Sequence, residues 1–185
     1  MKQREKVIPF ANGRVLEVGC GSGTNFSLYD RNRVEQLFAL EPHGEMIAKA
    51  KSHPDRFEGL DIEFIEAGGE AVPIETGSLD TVIFTFTLCT IPDWAASLRE
   101  ARRVLKPGGR LLYSEHGGAP DPSIAKWQRR LEPVQKALAG GCHLTRVPTQ
   151  MLESEGFRIA DGQTMYLPKT PKPLGFAYWG AALPA

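Results

Sequence analysis

The residues with the most chemical content lie in one short stretch, Arg14-Val15-Leu16-Glu17-Val18-Gly19-Cys20-Gly21-Ser22-Gly23. A β-type run carrying a carboxylate breaks into a loop with glycine at every second position. Glycines at that spacing let the backbone turn sharply and let a ligand approach the main chain with no Cβ in the way. Thr24 to Tyr29 then reads as the opening of a helix, whose first N–H groups favour a negative group. Glu41 stands 18 residues past Gly23, directly after the apolar run Glu35–Leu40, with Pro42 beside it. An acid at about that distance is where a nucleotide-binding sheet grips ribose hydroxyls.

Glycine spacing narrows the ligand further. A dinucleotide fingerprint reads G-x-G-x-x-G; counted from Gly19 it needs glycine where Thr24 stands. The pattern is instead E-x-G-x-G-x-G from Glu17 to Gly23, which resembles the first motif of the class I methyltransferases that use S-adenosylmethionine. Three further segments resemble the same family: Gly69-Glu70-Ala71-Val72-Pro73, Gly77-Ser78-Leu79-Asp80-Thr81-Val82, and Val104-Leu105-Lys106-Pro107-Gly108-Gly109-Arg110-Leu111. Finer details point to one branch: Leu88-Cys89-Thr90-Ile91-Pro92, Ser114-Glu115-His116, Trp127 with Glu132-Pro133, and Gly141-Cys142-His143-Leu144-Thr145-Arg146. Together they resemble the small bacterial type 11 methyltransferases and the related alkyl thiol methyltransferases.

The resemblance implies a Rossmann-like, doubly wound α/β fold: a mostly parallel seven-stranded sheet with one antiparallel edge strand, in a single domain over residues 1–185. It implies that Glu17, Gly19, Gly21 and Gly23 hold the methionine end of S-adenosylmethionine, Glu41 and Pro42 the ribose, and Gly69 and Glu70 the adenine edge. Many family members have an Asp where Gly68 falls, so the adenine contact passes here to backbone or to Glu70. Thr87 and Leu88, at the end of the fourth strand, complete the expected cofactor set. Methyl transfer from a sulfonium asks the protein mainly for alignment and shielding. A thiol acceptor must also lose its proton, because the thiolate is the nucleophile. His116 is the first candidate base, since its ordinary pKa lies near neutral, and His143 the second. The implied activity is methyl transfer to a small, fairly apolar acceptor, with a thiol preferred. A quinol, a phenol or a lipid headgroup remains open, as does a domain that binds the cofactor or its product without turnover.

Those residues need elements to position them, and the rest of the chain supplies a strand–helix alternation. Strands are predicted over Arg14–Val18, Gln36–Leu40, Ile62–Glu66, Thr81–Phe86 and Arg110–Ser114. Helices are predicted over Thr24–Tyr29, Glu45–Ser52 and Asp93–Leu105, the last with Asp93 as N-cap and Pro107-Gly108-Gly109 as its stop. This order argues for a parallel sheet with right-handed crossovers. Further on, Ser123–Leu138 reads as a helix bent or interrupted at Pro133 and Thr149–Glu155 as another. Phe157–Tyr166 and Phe176–Leu183 read as two closing strands. Every candidate residue then falls at the carboxyl ends of strands, where open α/β sheets bind ligands.

Composition sets the outer limits. The 185 residues suffice for one domain with a real core. With 22 basic and 22 acidic residues the chain lacks the basic excess of a nucleic-acid binder. Three cysteines, Cys20, Cys89 and Cys142, form no C-x-x-C pair, which fits a reducing, cytoplasmic setting better than a disulfide framework. Cys89 and Cys142 with His116 and His143 match no compact zinc signature, so no metal site is expected. Trp127, Tyr178 and Trp179 read as core residues. No apolar stretch is long enough to span a bilayer. About a dozen residues precede the first strand, fewer than is usual in this branch, so one side of the cofactor cleft is expected to be open. Apolar surface there would favour a homo-oligomer.

Overall fold

A computed structural model describes residues 2–185. Seven strands form one sheet: β1 (Gly13–Val18), β2 (Val34–Leu40), β3 (Ile62–Ile65), β4 (Leu79–Thr85), β5 (Leu105–His116), β6 (Phe157–Tyr166) and β7 (Phe176–Pro184). Their spatial order is β3-β2-β1-β4-β5-β7-β6. The pairings from β3 across to β5 are parallel, while β7 runs antiparallel to both β5 and β6. The antiparallel strand therefore sits one place in from the edge, with β6 outside it. The strand order reverses between β1 and β4, and the carboxyl ends diverge there to leave a crevice.

The central strands are apolar on both faces because both are covered. Leu16, Val18, Phe38, Leu40, Val82 and Phe84 pack on one side. There they meet Leu98, Ala101 and Val104 of α2 (Trp94–Val104) and Met151 and Leu152 of α4 (Pro148–Ser154). Val15, Leu37, Ala39 and Ile83 face the other way, against Ala50 of α1 (Gly44–Lys51) and the N-terminal residues Val7 and Ile8. The N-terminal segment is thus two short 3₁₀ turns, Arg4–Lys6 and Ile8–Phe10, folded onto the sheet.

Local signals explain most element ends. The Asp93 carboxylate accepts from the Ala96 N–H at 2.9 Å and caps α2. Lys106 to Gly109 form a bulge inside β5, so that Leu79 pairs with Leu105 but Thr81 with Arg110. Helix α3 (Pro122–Leu138) continues through Pro133. The Thr24–Tyr29 expectation is corrected: turns lead into a 3₁₀ turn at Phe26–Leu28, with no α-helix. Asn25 and Tyr29 both turn inward to bond the buried Glu17 carboxylate, and the backbone is already extended at Tyr29 (φ −69°, ψ 135°), which ends the turn there. Trp127 is also not a core residue; it is 53 % exposed, with the Arg130 guanidinium over its ring.

Gly180 lies mid-strand in β7 opposite both Tyr113 and Gly162, and a Cβ there would fall on the Asp161 carbonyl. Gly180→Ala should therefore cost at least about 2 kcal/mol, because the clash is with backbone that cannot turn away. Urea unfolding of the two proteins measures this; a change within about 0.5 kcal/mol would mean that β6 shifts freely.

Candidate active site

The crevice opens at the carboxyl ends of β1, β2 and β4 and holds two adjoining recesses. The larger has a volume of about 440 Å³ and is lined by the ends of β1 and β2, by Ala67–Glu70 after β3, and by Phe86, Thr87 and Thr90–Pro92 after β4. The smaller, about 220 Å³, lies under the glycine loop and is lined by Arg4, Glu17, Gly19–Ser22, Asn25 and Thr85. Gly19 and Phe86 belong to both.

The glycine loop is bolted to β2, for the N–H groups of Gly19 and Cys20 both donate to the Leu40 carbonyl, at 2.8 and 3.0 Å. Gly19 takes a φ of 72°, and a Cβ there would lie 2.6 Å from the Thr87 side chain. Only glycine lets the loop reverse at this point with the β4 loop so close. Gly21 donates its N–H to Glu41 Oε2 at 3.0 Å. Gly23 lines neither recess and instead lies against the Phe26 ring.

Glu17 is fully buried beneath this loop. Its carboxylate accepts from Asn25 Nδ2 and from the Tyr29 hydroxyl, both at 2.7 Å. It ties the residues after the loop to β1 and forms the floor of the smaller recess. Burial pushes its carboxyl up to about 7, against the pull of those two hydrogen bonds and of the Arg4 charge. Arg4 arrives from the N-terminal turn, with its guanidinium 3.2 Å from Thr85 Oγ1 and stacked over the Phe86 ring.

On the other side of the loop, Glu41 is 7 % exposed at the rim of the larger recess. Besides Gly21, it accepts from the His43 N–H at 3.2 Å, and its Oε1 lies 2.8 Å from His43 Nδ1. Pro42, Gly69 and Glu70 line the same recess. A Cβ on Gly68 would meet the Glu70 carboxylate at 2.5 Å. The Glu70 side chain therefore fills the volume that a side chain at 68 would occupy.

After β4 the chain turns through Phe86, whose φ of 54° is rare for a non-glycine residue. Such backbone strain persists only where the surroundings fix it, and two contacts do so here. The N–H groups of Thr87 and Leu88 both donate to Glu115 Oε1, at 2.8 and 3.1 Å. Arg146 donates to the carbonyls of Leu88 and Ile91, at 2.6 and 2.8 Å. Glu115 is wholly buried; burial raises its carboxyl to about 7, and Oε2 has no partner among the described residues. Thr87 lines the larger recess, whereas the Leu88 side chain is fully buried in the core and lines neither recess. The reason is the hold on its backbone from both sides, which turns the side chain under the sheet.

Neither histidine stands free in the cleft. His143 Nδ1 lies 3.1 Å from Glu132 Oε1, away from both recesses. His116 stacks on Phe86, and its Nε2 lies 2.9 Å from Cys142 Sγ. The expectation of no metal site rested on spacing along the chain, whereas the fold brings three of the four named residues together. Donor atoms of Cys89, His116 and Cys142 lie within 4.8 Å of one another. The backbone explains this meeting, since the His143 N–H donates to the Cys89 carbonyl at 2.9 Å. The hydrogen bond from Cys89 and the contact with His116 draw the Cys142 thiol down, while the same bond and burial push Cys89 up.

Sequence reasoning missed Arg4, Phe86, Asn25, Tyr29 and Arg146 as site residues. Only Arg146 carried a signal, as the end of the Gly141–Arg146 motif; Arg4 lies before any recognisable element.

This geometry defines a class I, Rossmann-like methyltransferase domain. A profile of the "Methyltransferase domain" family matches residues 16–113, over half of the chain, and the chain belongs to that family. Thiol S-methyltransferase TMT1B of Rattus norvegicus is 37 % identical over 77 % of this chain and 59 % of its own length. The ubiquinone/menaquinone biosynthesis C-methyltransferase UbiE of Hahella chejuensis is 42 % identical over 63 % of this chain and 48 % of its own. The chain thus spans about half to three fifths of these relatives. A crystal structure of an S-adenosylmethionine dependent methyltransferase from Mesorhizobium loti superposes with a TM-score of 0.71, covering 98 % of this chain and 96 % of that one, at 18 % identity. Among the described residues no helix is long and apolar enough to cross a membrane.

Glu17 gives a pH-dependent prediction. The folded protein holds this proton up to about pH 7, whereas in the unfolded chain it leaves near 4.5. The stabilising contribution is therefore complete below about 4.5 and is lost as pH rises through about 7, at most about 3 kcal/mol. Glu17→Gln should flatten the stability profile over that window. Denaturant unfolding at a series of pH values checks it; parallel profiles for the two proteins would exclude Glu17 as the cause.

Proposed function

We propose that this domain transfers a methyl group from S-adenosylmethionine to a small, fairly apolar acceptor, with a thiol as the leading candidate. The observation that carries the proposal is the pair of recesses joined at Gly19 and Phe86, one walled by Glu41 and apolar side chains, the other by a guanidinium and the glycine loop.

The residues present fit this cofactor. Glu41 Oε2 has accepted one hydrogen bond, so it keeps capacity for a ribose hydroxyl. His43, whose side chain is 67 % exposed, can swing away to release Oε1. The space that would hold a Cβ at Gly19 is closed by Thr87, which leaves the loop backbone itself as the contact surface. Gly69 and Glu70 are placed for the adenine edge. Arg4 offers a cation for the amino-acid carboxylate, a role absent from the expected cofactor set.

When bound, S-adenosylmethionine supplies a methyl group already activated by its sulfonium. The chain's own task is to align and shield. Phe86 stands at the junction of the two recesses, held in its strained turn by Glu115 below. Thr90, Ile91 and Pro92 form a mostly apolar wall next to it, suited to an apolar acceptor. Arg146 keeps that wall rigid, and a rigid wall favours in-line approach. A thiol reaches its reactive form partly by its own ionisation, so the proposal does not depend on a base at His116 or His143. The similarity to a thiol S-methyltransferase supports this acceptor class. The free cysteines support a reducing, cytoplasmic setting.

Labelled S-adenosylmethionine incubated with a panel of alkyl thiols, phenols and quinols tests the reading. Methylated thiol is the expected product. Methylation confined to a quinol would redirect the acceptor class, and tight cofactor binding with no turnover on any class would leave a binding domain instead. Glu41→Ala should weaken cofactor binding by roughly 1.5–3 kcal/mol, the scale for a charged acceptor. Arg4→Met should weaken it by about tenfold or more through the lost charge-assisted bond. Calorimetry reads both, and an unchanged affinity removes the residue concerned from the site.

A further inference from the structure

We propose that Cys89, His116 and Cys142 form a zinc site beside the methyl-transfer cleft, with three protein ligands and a fourth position open to a small thiol. The last clause rests on the thiol acceptor proposed for the cleft; the metal site itself does not.

Three different segments supply the donors: Cys89 from the loop after β4, His116 from the last residue of β5, and Cys142 from the loop after α3. Two thiolates and an imidazole are a soft donor set that selects zinc over magnesium or calcium. The donors lie within 4.8 Å of one another, and both cysteines are almost fully buried. Tetrahedral zinc with ordinary Zn–S and Zn–N bonds separates sulfur from nitrogen by about 3.5 Å. Cys142 Sγ and His116 Nε2, now at 2.9 Å, need only a small side-chain rotation to reach it.

Each sulfur has a polar neighbour at hydrogen-bonding range: the Thr90 hydroxyl at 3.3 Å from Cys89 Sγ, and the Gln135 amide at 3.9 Å from Cys142 Sγ. Outer donors of this kind orient ligands and tune the metal. Phe86 stacks on the His116 ring and restrains it. The backbone bond from His143 to Cys89 and the two bonds from Arg146 fix the cysteine-bearing loops against each other before any ion binds. Zinc would also neutralise two thiolates in a region where the buried Glu115 already carries an unpartnered oxygen.

Three protein ligands leave one position of a tetrahedral ion to water or substrate, the pattern of catalytic rather than structural zinc. Phe86 and Thr90, which border the cluster, also line the larger recess. A thiol that binds the ion gives up its S–H proton to solvent and is held as a thiolate next to the cleft. The sulfur–carbon bond then forms as the methyl–sulfonium bond breaks, and the sulfonium electron pair leaves with the product cofactor.

The test is metal titration of the purified, reduced protein. Zinc content measured by mass spectrometry after equilibration and desalting should approach one per chain. Cobalt in its place should give an intense sulfur-to-metal charge-transfer band. Cys142→Ser should abolish that stoichiometry with an unchanged far-UV spectrum, and Cys20→Ser, which alters the cysteine outside the cluster, should retain it. Retention by both variants, or zinc below about a tenth per chain for the wild type, overturns the site. Should Cys142→Ser misfold, His116→Gln gives the same readout. The thiol clause has its own arm: added alkyl thiol should shift the cobalt spectrum. A cobalt site that ignores thiols, in a protein that still methylates them, would refute that clause alone. Methylation failing with the metal in place would instead count against the thiol reading.

Discussion

The structure depends on the reversal of the chain at Gly19. There the loop leaves β1, donates two N–H groups to the last carbonyl of β2, and passes so close to Thr87 that no side chain fits between. Three strand ends are thereby locked to one point. Glu41 reaches the loop from β2 through Gly21, and Glu17 anchors the segment beyond the loop through Asn25 and Tyr29. Both recesses of the cleft are the space left over by this convergence, so the position of each wall is set by the same few backbone contacts.

Two buried carboxylates divide the supporting work. Glu17 holds the chain beneath the glycine loop, and Glu115 holds the turn after β4 from the neighbouring strand. Each is bonded by neutral donors instead of a salt-bridging cation. That choice costs more desolvation than an exposed pair would, and burial raises both carboxyls to about 7. In return both Glu17 oxygens and Glu115 Oε1 meet fixed backbone and side-chain donors, which orients loops more sharply than a mobile lysine would. The strained Phe86 turn is tolerable because Glu115 and Arg146 restrain it from opposite sides.

Much of this was legible in the sequence where function and local structure use the same residues. The glycine spacing, Glu41 and the strand–helix alternation are local patterns, and the sheet follows from them. The start of α2 was readable because the Asp93 N-cap is a local chemical signal, whereas Pro107-Gly108-Gly109 does not stop the helix but lies in the bulge inside β5, which begins at Leu105. Thr24–Tyr29 misled because so short a segment does not hold a helix by itself, and its backbone is extended by Tyr29, whose hydroxyl reaches the Glu17 carboxylate. Arg4 and the Cys89–His116–Cys142 meeting were invisible for a different reason: both depend on how far-apart segments cross above the sheet. The inward turn of the Leu88 side chain was not legible either, because strand position alone does not say which way a loop side chain turns once its backbone is held.

The volume shared by positions 68 and 70 has a consequence for how this cleft can change. The Glu70 carboxylate lies where a Cβ at 68 would be, and Gly68 leaves room for it. Substitutions at the pair are thus coupled through this space, since a side chain at 68 displaces the exposed Glu70 carboxylate.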